Sequence, residues 1–346
     1  MTDAIHRLLA ERAYLLADGA MGTNLFRLGL ETGDSPELWN VEHPDRVAQV
    51  HREFVAAGSD LFLTNSFGGT RFRLKVHDLQ DRVAELNEAA ARIAREVADA
   101  AREESGREVL VAGSMGPTGE IMAPVGALDP ADAATAFAEQ AQALARGGVD
   151  VLWIETMSSR EEVAAAVAGA ATTDVPYVCT MTFDTNRRTM MGVLPGDYAR
   201  FCHELDPAPV GFGANCGVGP GELLETTLAL AAAANPSDVL IAKGNCGIPV
   251  YQEGEIVYKG SPELMQEYAR LALDAGARII GGCCGTTPQH IVAMAAALAA
   301  HVKGERPDLA AVEAKLGPVW VRPDDAGDAA NDDSTRRERR RRRRRA

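Results

Sequence analysis

Eight short apolar runs, each followed by a longer segment with helical spacing, constrain this chain more than any other feature. The first four are YLLAD ending at Asp18, DLFLTN ending at Asn65, EVLVAGS ending at Ser114 and VDVLWIE ending at Glu155. Then come VPYVCTMTF ending at Phe183, PVGFGAN ending at Asn215, DVLIAKGN ending at Asn245 and ARIIGG ending at Gly282. Near-continuous Val, Ile and Leu predict strands buried on both faces. The intervening stretches, rich in Ala, Glu and Arg, predict helices over 44–57, 79–104, 130–147, 160–171, 196–206, 220–234, 261–275 and 288–302. Such strands alternating with amphipathic helices imply an α/β chain whose parallel sheet is covered by helices. Eight units in about 300 residues match a closed (β/α)8 TIM barrel, with an open doubly wound sheet as the structural alternative.

The stretch IPVYQEGEIVYKG, with Glu253 and Gly254 at its turn, reads as a hairpin inserted after the seventh strand. The barrel is expected over residues 1–317. From 318 the periodicity stops, and the acidic, then Arg-rich run that follows has no apolar face, so disorder is expected there.

A content of 46% hydrophobic and 24% charged residues suits a soluble chain with a sizeable core. No run reaches about 18 uncharged apolar residues, and the opening MTDAIHRLLAERAYLL lacks the unbroken apolar stretch of a secretion signal. A cytoplasmic location without a membrane partner is expected. The net charge of −14 is unevenly spread, since residues 336–346 hold nine of the 35 Lys and Arg but one of the 49 Asp and Glu. The acidic remainder repels nucleic acid, so only the tail is a candidate to bind it.

Polar and glycine-rich residues gather at the carboxyl ends of the predicted strands, where the βα loops of a barrel build an active site. Cys216 follows the sixth strand, and the adjacent Cys283 and Cys284 follow the eighth. Three thiols converging on one mouth suit zinc, and three protein ligands leave a fourth position for water or substrate. Zinc deprotonates a bound thiol outright, so the chemistry suggested is alkylation of a thiol substrate. A zinc hydrolase fits less well, because three thiolates make bound water a poor acid and the chain has no H-E-x-x-H pair. His43 and His290 read as surface or capping groups. Asp18 and Glu155 are candidates to bind a substrate ammonium, with Asp18 also readable as a turn residue or as a partner for a cationic methyl donor. Thr64 and the Gly19 amide are candidate carboxylate donors. No dinucleotide or P-loop motif occurs.

The segments DGAMGT, TNSFGGT, GSMGPTGE, GANCG and GGCCGTTPQH, in that order, resemble the homocysteine S-methyltransferase family. The resemblance covers residues 14 to about 302 and implies a (β/α)8 barrel with one zinc held by Cys216, Cys283 and Cys284. It implies homocysteine bound through sulfur to that zinc, with Asp18, Gly19, Thr64 and Glu155 near its amino-acid end. Zinc-dependent methyl transfer to homocysteine, giving methionine, is the activity implied.

Among donors, glycine betaine is favoured, because the whole chain resembles stand-alone bacterial betaine enzymes. Trp39, Phe67, Tyr177 and Phe183 are candidate aromatic faces for its quaternary ammonium. S-methylmethionine, or methylcobalamin on a separate corrinoid protein, is the alternative, since GPTGE and MTFD look more like the homocysteine module of cobalamin-dependent methionine synthase. Gly68 and Thr156 stand where vertebrate betaine enzymes carry tyrosines. Cys246 departs from the family's small residue after the seventh strand, which leaves open a bystander, a fourth ligand or an oxidised pair. A homo-oligomer stays open, as does a noncatalytic zinc or RNA-binding role through the Arg tail.

Overall fold

The computed structural model describes residues 4–247, 249–252 and 255–319. Ten strands are described: β1 (Leu15–Leu16), β2 (Leu61–Leu63), β3 (Leu110–Met115), β4 (Val151–Met157), β5 (Tyr177–Met181), β6 (Gly211–Cys216), β7 (Leu240–Gly244), β8 (Pro249–Gln252), β9 (Glu255–Tyr258) and β10 (Ala277–Gly282). Eight of them form one parallel sheet in the order β1-β10-β7-β6-β5-β4-β3-β2. A parallel bridge between Ala17 and Leu61 joins its two edges, helped by Leu16 N–H donating to Asp60 Oδ2 at 2.9 Å. The sheet is thus a near-closed barrel, and the open doubly wound alternative is excluded.

Side-chain alternation divides each strand between two cores. Leu15, Ala17, Leu63, Ala112, Val151, Trp153, Val178, Ile241 and Ile279 share the inner cluster. The helix Ala4–Glu11 adds Ile5, Leu8 and Leu9 to it. Arg278, at the start of β10, reaches the carbonyls of Ala13 and Arg12 just beyond that helix, which closes the amino end of the barrel. The outer faces of the strands pack on helices such as Pro44–Ala57, Val83–Ser105 and Pro130–Gly147.

Most of the predicted helices recur within a few residues, with two informative differences. The span 79–104 begins with a 3-10 turn, Gln80–Arg82, before Val83–Ser105. The helix expected over 196–206 is Pro195–Cys202, and a turn precedes Pro207 because proline restricts the residue before it. Strands β8 and β9 pair antiparallel, as the inserted hairpin predicts. The helix Leu309–Leu316 packs Val312 beneath the surface, against helices Pro220–Ala233 and Pro262–Ala275. The expected tail lies, from residue 320 on, outside the described residues. Among the described residues no helix is long and apolar enough to cross a membrane.

Candidate metal centre and substrate pocket

Every strand-end group singled out for metal or substrate lies at the carboxyl end of the barrel. Cys216 closes β6, where it pairs with Gly244 of β7, and Cys283 and Cys284 follow β10 directly. The three sulfurs lie within 4.8 Å of one another, with Cys216 and Cys284 3.9 Å apart. A tetrahedral zinc with Zn–S bonds of about 2.3 Å holds its sulfurs roughly 3.8 Å apart, so the observed spacing fits the ion. The shared protons show the same crowding. Hydrogen bonds to Cys283 and Cys284 push the Cys216 thiol up, while the bonds Cys284 receives from Cys216 and Cys283 pull it down to about 3.

Backbone and amides hold this geometry. Cys216 and Thr156 have φ of +63° and +60°, left-handed values that cost about 1 to 2 kcal/mol in a non-glycine residue. Asn215 restrains Thr156 by accepting from its N–H at 2.8 Å and donating to its hydroxyl at 2.7 Å. Asn245 ties the cysteine loops together, donating to Gly217 O at 2.7 Å and accepting from the N–H of Cys284 at 3.0 Å. The sequence reading places both asparagines at strand ends but gives them no role. The repeated Asn-Cys-Gly after the sixth and seventh strands was the signal available.

That repeat also separates two cysteines of different fate. Cys246 does not join the sulfur triad; its sulfur lies 3.2 Å from Gly260 O and 3.1 Å from His290 Nε2. It is neither a fourth ligand nor half of an oxidised pair in this structure. His290 accepts at Nδ1 from the N–H of Thr287, a capping box at the start of helix Pro288–Ala300. His43 occupies the position before helix Pro44–Ala57 without a side-chain capping hydrogen bond, and its ring meets that of Trp39 edge-on at 4.8 Å.

A cavity beside the triad is lined by Asp18, Gly19, Thr64, Glu155 and all three cysteines. Gly19 can have no side chain, because a Cβ there would sit 2.6 Å from Thr286 O and 2.8 Å from the Phe54 ring. Thr64 is spent internally: its hydroxyl accepts from Ser114 N–H at 3.0 Å and pairs with Ser66 Oγ at 2.6 Å. Glu155 accepts from Ser114 Oγ at 2.5 Å and, weakly, from Asn215 Nδ2 at 3.4 Å. Burial, reinforced by the nearby Cys283, raises its carboxyl to about 7, against the opposing pull of Lys243.

Lys243, which the sequence reading passed over, also lines this cavity. Its Nζ lies 2.6 Å from Asp18 Oδ1, and the side chains are 2% and 1% exposed. Burial works to lower the lysine, but the charges of Asp18, Cys283 and Glu155 together, with the Asp18 hydrogen bond, leave the ammonium raised. Burial raises Asp18 in turn, with Lys243 opposing.

The aromatic residues divide sharply. Phe67 lines the cavity, and so does Phe26, which the sequence reading omitted. The other three candidate faces do not. Trp39 is buried on its helix beneath Arg46, Tyr177 opens β5 and bonds Pro207 O, and Phe183 packs toward Tyr198. A betaine cage built from those three is therefore excluded. Glu37, another residue the sequence reading missed, presents a carboxylate to the same cavity and accepts from Gly68 N–H at 2.7 Å.

A barrel that gathers three cysteine sulfurs at metal-binding spacing beside a cavity defines a candidate metal site of the three-cysteine class. The model of the homocysteine S-methyltransferase family matches residues 15–298, and the chain belongs to that family. Methionine synthase of Mycobacterium tuberculosis is 32% identical over 314 residues, 86% of this chain and 26% of that protein. Methionine synthase of Mycobacterium leprae is also 32% identical, over 84% of this chain and 25% of its own. The chain thus spans about a quarter of the length of these relatives. The homocysteine methyltransferase MmuM from Escherichia coli, in a crystal structure of its metallated form, matches with a TM-score of 0.72 and 25% identity. That match covers 84% of this chain and 99% of the other.

Proposed function

We propose that the protein transfers a methyl group to the thiol of homocysteine, giving methionine, with one zinc per chain held by Cys216, Cys283 and Cys284. The observation that carries this is the sulfur triad at zinc spacing on the wall of a cavity that also holds Glu155. Zinc bound there would keep the substrate sulfur in its thiolate form at neutral pH. The chain's own residues do the positioning. Glu155 and Asp18 stand where the amino-acid end would lie, the Gly19 amide offers a donor for the carboxylate, and Thr64 shapes the wall. The substrate sulfur then attacks a methyl carbon in line, forming the new S–C bond as the donor's bond to that carbon breaks. Alignment of this kind can supply about 7 to 11 kcal/mol of the barrier reduction.

For the donor we take glycine betaine, whose N–C bond would break to leave dimethylglycine. Phe26, Phe67 and the Glu37 carboxylate on one cavity support a quaternary ammonium there. The likeness to methionine synthase supports a second reading, a methyl group carried on a separate corrinoid protein. We place the reaction in the cytoplasm, where the thiols stay reduced. Purified zinc-loaded protein assayed with homocysteine plus betaine, S-methylmethionine or methylcobalamin decides among donors. Methionine formed from betaine supports the first reading, turnover with methylcobalamin alone overturns it, and no turnover with any donor overturns homocysteine methylation.

A further inference from the structure

Three buried carboxylates, Asp18, Glu37 and Glu155, and one buried ammonium, Lys243, line the cavity beside the triad, and Asp18 and Glu155 are not equivalent. Lys243 reaches Asp18 because Gly281 has no side chain; a Cβ there would meet Lys243 Cγ at 2.9 Å. Its Nζ contacts Asp18 Oδ1 at 2.6 Å and Asp18 O at 3.3 Å. The remaining oxygen, Oδ2, accepts from Leu63 N–H at 2.9 Å. Both oxygens of Asp18 are therefore engaged, and its charge is offset inside the barrel. Glu155 differs, because its bonded partners, Ser114 and Asn215, are neutral. A buried carboxylate whose hydrogen-bond donors are all neutral has no ion-pair partner in contact, which is what an incoming ammonium supplies.

We infer that Lys243 is a positioning residue that decides which carboxylate receives the substrate's ammonium: by neutralising Asp18, it leaves Glu155 as the ionic partner of the homocysteine amino group. Asp18 then forms the floor of the pocket. The inference rests on the homocysteine reading above and divides labour between two residues that the family resemblance treats alike.

The test compares calorimetric binding of homocysteine and of 4-mercaptobutanoate, the same thiol acid without its amino group, to zinc-loaded protein. The parent is expected to prefer homocysteine at least tenfold, and Glu155→Gln to erase that preference. Asp18→Asn combined with Lys243→Met, which replaces the ion pair with neutral groups and guards against misfolding of the single variant, is expected to keep it. Adding Lys243→Met to Glu155→Gln should restore part of the preference, because Asp18 is released to take the ammonium. Loss of preference in the Asp18→Asn, Lys243→Met protein, with zinc content and thermal midpoint retained, would overturn the inference while leaving the homocysteine reading intact. Failure of the parent to bind either thiol would overturn both.

Discussion

The sulfurs of Cys216 and Cys284 lie 3.9 Å apart although 68 residues separate them in the chain. Neighbouring strands bring this about: β10 and β6 both pair with β7, so the loops beyond their carboxyl ends meet above it. The pair of Asn245 hydrogen bonds then fastens one loop to the other.

Replacing Cys283 with Ala removes one of the three sulfurs from that cluster. Zinc measured by atomic absorption is expected to fall from one per chain to below about a tenth, and methyl transfer to below about a hundredth. Circular dichroism should stay that of the parent, since the barrel core does not depend on this side chain. Full turnover in zinc-free Cys283→Ala protein would contradict the metal role.

The raised carboxyl of Glu155 gives the pocket a pH signature. A group at about 7 is ionised above that value and neutral below it, so ammonium capture is present at pH 8 and lost as pH falls through 7. The ratio of kcat/KM for homocysteine to that for 4-mercaptobutanoate cancels the titration of the thiol itself. That ratio is expected to decline about tenfold per pH unit below 7 and to be flat in Glu155→Gln.

Glu37 lines the cavity with Phe26 and Phe67, where its carboxylate accepts from Gly68 N–H and Ser35 Oγ. Glu37→Gln is expected to raise the KM for betaine roughly tenfold and to leave homocysteine affinity within about twofold. Steady-state kinetics with each substrate varied in turn checks this, and an equal loss for both substrates would contradict it.

His51 makes stability depend on acidity from outside the site. It is fully buried against Phe62, neither ring nitrogen has a partner, and burial first, then Arg52, holds its pKa down at about 3. An unfolded chain takes up a proton there near pH 6.5, whereas the folded chain does not. Its contribution is therefore complete above 6.5 and lost as pH falls toward 3, by about 1.4 kcal/mol per unit. Urea denaturation of His51→Leu and parent between pH 7 and 5 should show the parent losing stability more steeply by about that amount.

The barrel and the convergence of Cys216, Cys283 and Cys284 were legible because strands buried on both faces write themselves as apolar runs, and their polar carboxyl ends mark one rim. Side-chain direction was less so. Cys216 lies within the β6 ladder, while Cys246 lies two residues past the end of β7, and the shared Asn-Cys-Gly text does not distinguish them. Tyr177 was a reasonable aromatic in type but opens its strand, which places it at the wrong end of the barrel. Lys243 sat in plain view as a lone cation in an apolar run; its significance depends on Asp18, 225 residues away in the chain.

Zinc K-edge X-ray absorption on the loaded protein, with and without homocysteine, tests the central claim most directly. The account predicts three sulfurs at about 2.3 Å plus one lighter atom, changing to four sulfurs when homocysteine is added. A sulfur count that does not rise on adding homocysteine would contradict it.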